Sequence, residues 1–385
     1  MRNWAVWVVL VAGGTLAACG GDDETTVPAG GSAGTTSSSG GTGGVGASGG
    51  TDSGGGGHQG GEGGAVPTAL VHRSGRFDDS DANGPRFTWS GSSFQTRIDG
   101  TALDVQLDGV GDVYFEIVVD GVSTGRFSTS GGAQTYSLVS GLAAGQHDVQ
   151  IYRRNEGWAD AVQLVGFTPG GGAAQVESPS PYHHRVEFVG DSLTAGYGIE
   201  GTAPCAFSAD TENAYLTYAG VASRNVQADP HIIAYSGKGI YQGYSGDTDE
   251  QMPEMFLRTL TNSAAPAWDF ASWIPEAVVI NLGTNDFSSD VTESNFATAY
   301  VAFLNTIRGY YPDAAIFCVS WEFWGADHEA WLDDAVATTG DANTHRLSFV
   351  VDGADGDGCD GHTNVVTNAK LAQQLTDAFA AELGW

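Results

Sequence analysis

From about Val66 to Gly172, apolar residues recur at every second position over short runs. Examples are Leu103-Asp-Val-Gln-Leu107, Val113-Tyr-Phe-Glu-Ile-Val-Val119 and His147-Asp-Val-Gln-Ile-Tyr152. A period of two puts alternate side chains on opposite faces of a strand, so each run predicts a half-buried β-strand. Asp120-Gly121 lies between two such runs and predicts a hairpin turn. No part of this region has a helical period. Many short strands joined by Gly-rich turns predict a β-sandwich over residues 66–172, and Gly170-Gly171-Gly172 predicts a joint at its end.

From Arg185 onward the pattern changes to apolar strands alternating with amphipathic helices. Strands are predicted at Val186–Val189, His231–Ala234, Ala277–Leu282, Ala314–Val319 and Leu347–Val351. Helices are predicted at Asn213–Val226, Met252–Leu260, Asn295–Tyr310 and Val365–Leu383. In the last of these Leu371, Leu375, Ala378 and Phe379 share one face. Strand–helix alternation predicts an α/β domain over residues 180–385, with a mostly parallel sheet covered by helices on both faces. In such sheets functional residues gather at the carboxyl ends of the strands.

The N-terminus follows a third pattern. Arg2 precedes an apolar run from Trp4 to Ala12, and Leu16-Ala17-Ala18-Cys19-Gly20 follows. A short apolar stretch ending in small residues predicts a secretory signal over 1–18, too short for a stable membrane span. Cysteine directly after Leu-Ala-Ala resembles the bacterial lipoprotein box, which implies acylation at Cys19. Gly20 in place of Asp implies an outer-membrane or cell-surface location. Residues 19–65, nearly all Gly, Ser, Thr and Ala from Ala29 on, lack the side chains for a core and predict a flexible tether.

Composition narrows the partners. The 385-residue chain carries 46 acidic residues against 15 basic ones, a formal charge of −31. Such a surface repels nucleic acid and anionic membranes, so contact with a membrane is expected through the lipid anchor only. A neutral substrate such as a polysaccharide is compatible with it. Cys205, Cys318 and Cys359 remain for an oxidising compartment, which suggests one disulfide and one buried thiol. Cys205 and Cys359, both in loops beside the predicted site, are the candidate pair. No C-x-x-C spacing suggests a metal site.

Four polar or glycine motifs each follow a predicted strand. They are Gly190-Asp191-Ser192-Leu193, Ser236-Gly237-Lys238-Gly239, Gly283-Thr284-Asn285-Asp286 and Cys359-Asp360-Gly361-His362. Serine is a poor nucleophile until a base takes its proton, and histidine, with a pKa near ~6.5, serves at neutral pH. The tetrahedral intermediate then needs preorganised donors. Ser192 N–H, Gly239 N–H and the Asn285 side-chain amide are the candidates. The order G-D-S-L, glycine, G-T-N-D and a late histidine resembles the SGNH (GDSL) hydrolases. A closer resemblance, to carbohydrate esterase family 2, runs from about Gly75 to Trp385. It rests on Tyr152-Arg-Arg-Asn-Glu156, Thr211-Glu-Asn-Ala-Tyr215, Ser236–Gly239, Met252-Pro-Glu-Met255 with Arg258-Thr-Leu260, Asn281–Phe287 and the tail Leu383-Gly384-Trp385.

That resemblance implies an SGNH-type, flavodoxin-like parallel sheet flanked by helices and preceded by a small jelly-roll-like β-sandwich. It also implies a serine esterase, working without cofactor, that removes acetyl groups from xylan or glucomannan. Two positions depart from the family pattern. Asp often stands three residues before the histidine, where this chain has Cys359. An aromatic often precedes the histidine, where this chain has Gly361. The reading is therefore a Ser192–His362 dyad, with Asp360 the candidate third member and a main-chain carbonyl the alternative support. Trp321 and Trp324 are candidate sugar platforms, with core packing the alternative. The sandwich either binds carbohydrate or braces the catalytic domain, and bracing is preferred. A monomer is expected. A peptidoglycan O-acetylesterase, a short-chain lipase and a non-catalytic polysaccharide-binding lipoprotein remain open alternatives.

Overall fold

The computed structural model describes residues 68–158 and 160–385. The expected signal peptide, Cys19 and the tether lie outside them. Among the described residues no helix is long and apolar enough to cross a membrane. The first part is an antiparallel β-sandwich. One sheet orders Arg86–Phe87, Val162–Gly170, Ala102–Asp108 and Gln134–Val139; the other is built around Ser93–Asp99, Gln146–Arg153, Tyr114–Val119 and Val122–Ser128. Between them lies a core rich in phenylalanine, including Phe77, Phe87, Phe94 and Phe115. Asp120 and Gly121 make the expected two-residue hairpin, with φ of 51° and 79°. Gly170–Gly172 is not a joint. It is a turn that carries the chain from one sheet to the other, where Ala174–Val176 pairs with Ser93–Asp99. Ser178–Pro179 then pairs with Thr68–Ala69, so the sandwich runs on to Pro179.

The second part is the parallel α/β domain. Its strands are β1 (His184–Gly190), β2 (Ala228–Ala234), β3 (Ala277–Asn281), β4 (Ala315–Trp321) and β5 (Thr344–Phe349). They lie in the order β2-β1-β3-β4-β5, all parallel. This is the flavodoxin-like order, with its switch point between β1 and β3. The covering helices are α1 (Tyr218–Asn225), α2 (Glu293–Tyr310), α3 (Ala326–Thr339) and α4 (Val365–Leu383). Helix α4 buries Leu371, Leu375 and Phe379, while Ala378 is only partly covered.

One helix expectation needs correction, and one helix had no counterpart among those predicted. Met252–Leu260 is a one-turn helix, Met252–Met255, followed by a strand, Arg258–Leu260, paired with Ser263–Ala267. The reason is tertiary. The main-chain carbonyl of Phe256, which a longer helix would pair with Leu260 N, and that of Arg258 accept hydrogen bonds from the Arg76 guanidinium of the sandwich. Helix α3 went unnoticed because its sequence is acidic and buries only Leu332 and Ala335.

The two parts share one interface. Trp89, Val118 and Tyr152 of the sandwich belong to the apolar core of the α/β domain. Arg76, fully buried, meets the equally buried Glu187 of β1 at 2.8 Å. Trp89 Nε1 donates to Thr259 O at 3.0 Å, and Ser74 Oγ donates to Pro230 O at 2.8 Å. Removing one partner of a fully buried ion pair leaves the other charge uncompensated, at a cost of about 3–5 kcal/mol. Arg76→Ala is therefore expected to lower stability by about that much in denaturant unfolding. The double substitution Arg76→Met/Glu187→Met removes both charges and should recover part of the loss. Equal stability of Arg76→Ala and the parent would show that the pair does not hold the interface.

Candidate active site

Strand β1 delivers the serine. Asp191 caps a one-turn helix, Ser192–Ala195, by accepting from Leu193 N at 3.0 Å, and Gly196 closes the turn. As the first residue of that turn, Ser192 has an N–H with no acceptor inside the helix. The histidine arrives from the other end of the domain, in the loop between β5 and α4. A disulfide between Cys205 and Cys359 ties this loop to the segment after Ser192, with Cys318 left as a buried free thiol. Two main-chain bonds add to it: Cys359 N to Gly198 O and Asp360 N to Cys205 O, both 3.0 Å. With the loop so held, His362 Nε2 lies 2.8 Å from Ser192 Oγ.

The other face of the imidazole has no carboxylate. Among the described residues His362 Nδ1 has no hydrogen-bond partner. Asp360 turns away: its Oδ2 accepts from Tyr197 OH at 3.1 Å and from Phe207 N at 2.9 Å. It thereby fixes the Tyr197 ring, which packs on His362 at 4.4 Å and stacks on Phe207 at 4.2 Å. Burial pulls the His362 pKa below its ordinary value. The main chain of Asp360 and Cys359 and the Asp360 charge oppose the shift without cancelling it.

The expected donors are differently arranged. The Gly239 N–H is taken by Gln251 Oε1 at 2.9 Å, so it is not the open donor that the motif suggested. A glycine in a motif promises close approach, but not the direction of its N–H. Gly237, with φ of 78°, is the residue of that stretch whose N–H has no acceptor among the described residues. The Asn285 amide nitrogen donates to Lys238 O at 2.8 Å and, over a longer 3.2 Å, to Asp191 Oδ2.

Two acids at the site had no role in the sequence reading. Asp286, the last residue of G-T-N-D, accepts from the N–H groups of Ile240, Tyr241 and Gln242 at 2.8–3.0 Å. Burial pushes its pKa up to about 6 against these bonds, and that of Asp191 up to about 7. Glu156, from the sandwich, accepts from both the N–H and the hydroxyl of Ser236. The signal for it was present in Tyr152-Arg-Arg-Asn-Glu156, but only as a family likeness. Glu156 also lines a pocket of about 210 Å³, with Trp158, Tyr197, Phe207, Tyr235 and Ser236.

The two tryptophans do not form platforms. Trp321 is fully buried, its Nε1 donating to Asn281 Oδ1 at 2.7 Å against Phe349. Trp324 is also buried, donates to Thr284 Oγ1 at 3.0 Å and packs on Phe287. Both are core aromatics that support the strand ends. The exposed aromatic of this segment is Phe323, between them.

Comparison with known proteins agrees with this architecture. Residues 73–179 match the family described as Carbohydrate esterase 2 N-terminal, and residues 188–375 match the GDSL-like Lipase/Acylhydrolase family. The chain is 37% identical to Cellulase/esterase CelE of Acetivibrio thermocellus over 81% of its own length, though it spans only 39% of that protein. It is 24% identical to an acetylxylan esterase / glucomannan deacetylase of Cellvibrio japonicus, over 81% of this chain and 88% of that one. A solved structure of a family two carbohydrate esterase from Clostridium thermocellum, in complex with cellohexaose, superposes with a TM-score of 0.78. It is 36% identical over 82% of this chain and 99% of that one. The chain belongs to carbohydrate esterase family 2.

Proposed function

We propose that this protein is a serine esterase that removes O-acetyl groups from polysaccharide of the xylan or glucomannan type through an acetyl-enzyme. The observation that carries the reading is the 2.8 Å contact between His362 Nε2 and Ser192 Oγ at the carboxyl edge of a parallel sheet. His362 takes the serine proton, and Ser192 attacks the acetyl carbonyl. The oxyanion meets the Ser192 N–H and the Gly237 N–H. The Asn285 amide is a third donor, since its long bond to Asp191 can give way to a full negative charge. His362 then protonates the leaving sugar hydroxyl and activates water for deacylation.

The substrate class is supported by the relatives: one is named acetylxylan esterase / glucomannan deacetylase, and another was solved with cellohexaose. Beside the Tyr197 ring that packs on His362, a pocket of about 210 Å³ walled by aromatic rings has room for a small group rather than a long chain. Export and anchoring at Cys19 belong to the same proposal. They are supported by the apolar run, Leu-Ala-Ala-Cys and the Gly/Ser tether, which gives an anchored enzyme reach to a bulky substrate.

The activity is tested by mass-spectrometric detection of acetate released from acetylated xylan and glucomannan. Acetyl esters should be cleaved and palmitoyl esters should not; equal turnover of both would favour a lipase. Ser192→Ala and His362→Ala should each lower kcat/KM by about 10³–10⁶, because residues acting as one unit fail together. Asp360→Asn should cost less than about tenfold, since its carboxylate bonds Tyr197 and Phe207; a loss near 10⁴ would make it a triad member.

The pH profile checks the histidine separately. His362 must be neutral to accept the serine proton, and its pKa lies below the ordinary 6.5. The acid limb of kcat/KM should therefore fall below pH 6.5, with activity retained as pH rises. A limb above 6.5 would mean that a carboxylate stabilises the imidazolium after all. For the anchor, Cys19→Ser should move the protein from the membrane fraction to the soluble fraction of the producing cells. An unchanged distribution would exclude acylation as the attachment.

A further inference from the structure

The segment from Arg153 to Trp158 leaves the sandwich strand Gln146–Arg153 and adds Glu156 and Trp158 to the wall of the pocket that Tyr197 also lines. It is pinned from both sides. The buried Arg153 guanidinium donates to Phe87 O at 3.1 Å, to Asn155 O at 3.0 Å and to Glu156 O at 3.2 Å. Arg154 O accepts from Ala214 N of the α/β domain at 2.8 Å, and Asn155 Oδ1 accepts from Tyr114 N at 2.9 Å. Glu156 stands on this rigid turn with both carboxylate oxygens on Ser236, one on its N–H and one on its hydroxyl.

Ser236 opens the loop after β2 that carries Gly237. The far end of this loop is held within its own domain: Asp286 takes three successive N–H groups from Ile240 to Gln242, and Gln251 takes the Gly239 N–H. The side-chain hold on its near end comes from Glu156. Gly237 between them has φ of 78° and open space where a Cβ would stand, while its carbonyl accepts from Tyr244 N at 2.9 Å. Its direction is set by its neighbours.

We propose that Glu156 is a positioning residue for the reaction: reaching across from the sandwich, it fixes Ser236 so that the Gly237 N–H faces the developing oxyanion. The proposal rests on the ester-hydrolysis reading of the site. A carboxylate suits this task because it accepts two donors at once, which neither an amide nor a hydroxyl can do with the same pair of oxygens. Glu212, fully buried, accepts from Glu156 N at 3.1 Å and from Trp158 Nε1 at 3.4 Å. Burial raises both carboxyls, and the Glu156 charge raises Glu212 further.

The test compares Glu156→Gln, Ser236→Ala and Ser192→Ala in the full chain, by kinetics on a nitrophenyl acetate and by thermal melting. Glutamine keeps the shape but accepts through one oxygen only. Glu156→Gln should lower kcat by about 10–100-fold with KM within about twofold, since a misplaced oxyanion donor weakens the transition state and not the ground state. Ser236→Ala keeps the main-chain bond and loses the hydroxyl one, so kcat should fall about three- to tenfold, again with little change in KM. Wild-type kcat in both variants, or a loss confined to KM, overturns the proposal. If Glu156→Gln does not fold, Ser236→Ala decides alone, because it leaves the sandwich untouched. An inactive parent, or a fully active Ser192→Ala, would instead sink the esterase reading and the proposal with it.

Discussion

Glu187 sits in the middle of β1, the strand that ends at the nucleophile, and it is fully buried. A buried carboxylate there is costly without a partner, because burial removes the water that would otherwise solvate its charge. Its partner is Arg76, from the other domain. The same guanidinium takes two carbonyls from the segment after Met252–Met255 and lies over the rings of Phe256, Trp268 and Phe270. One side chain of the sandwich thus neutralises the nucleophile's strand, takes the carbonyls beyond a one-turn helix and fills an aromatic box. The α/β domain is built around that contact, and Trp89, Val118 and Tyr152 complete its core from the same side. This is why the sandwich reads as a brace: the catalytic sheet is completed by it.

The site repeats the theme with acids. A chain of formal charge −31 could be thought merely to keep its carboxylates on the surface. Around Ser192, however, Asp191, Asp286, Glu156 and Glu212 are all buried and act as acceptors for N–H groups of the turns that carry the chemistry. Each bond recovers part of the cost of burying a carboxyl, and burial still leaves all four with raised pKa values. The exception is the imidazole, which has no carboxylate of its own. Tyr197 packs on its face, the disulfide holds its loop, and the main chain supports its charge. Orientation here comes from packing and cross-linking, where a triad would use a third side chain.

Periodicity and motif order carried the reading far. The alternating runs give the sandwich strands, the apolar runs give the five parallel strands, and G-D-S-L and the late histidine, each following a strand, meet at one edge. These features are local: side-chain period follows from backbone geometry, and in a parallel sheet every strand ends on the same side. What failed depended on direction or on distant partners. Gly239 was a sound choice by type, but its N–H turns to Gln251, twelve residues on. Trp321 and Trp324 follow an apolar strand, and nothing local says that one indole meets Asn281 and the other Thr284.

The sequence by itself determined the two-domain order, the sheet type, the nucleophile and its base, because short-range patterns and residue chemistry suffice for those. Only the tertiary structure decided that Met252–Leu260 breaks after one turn, that Asp360 serves Tyr197 and not His362, and that Glu156 reaches Ser236. Each of these turns on a hydrogen bond between residues up to 182 positions apart. Propensity and spacing hold no record of such a partner until the chain has folded.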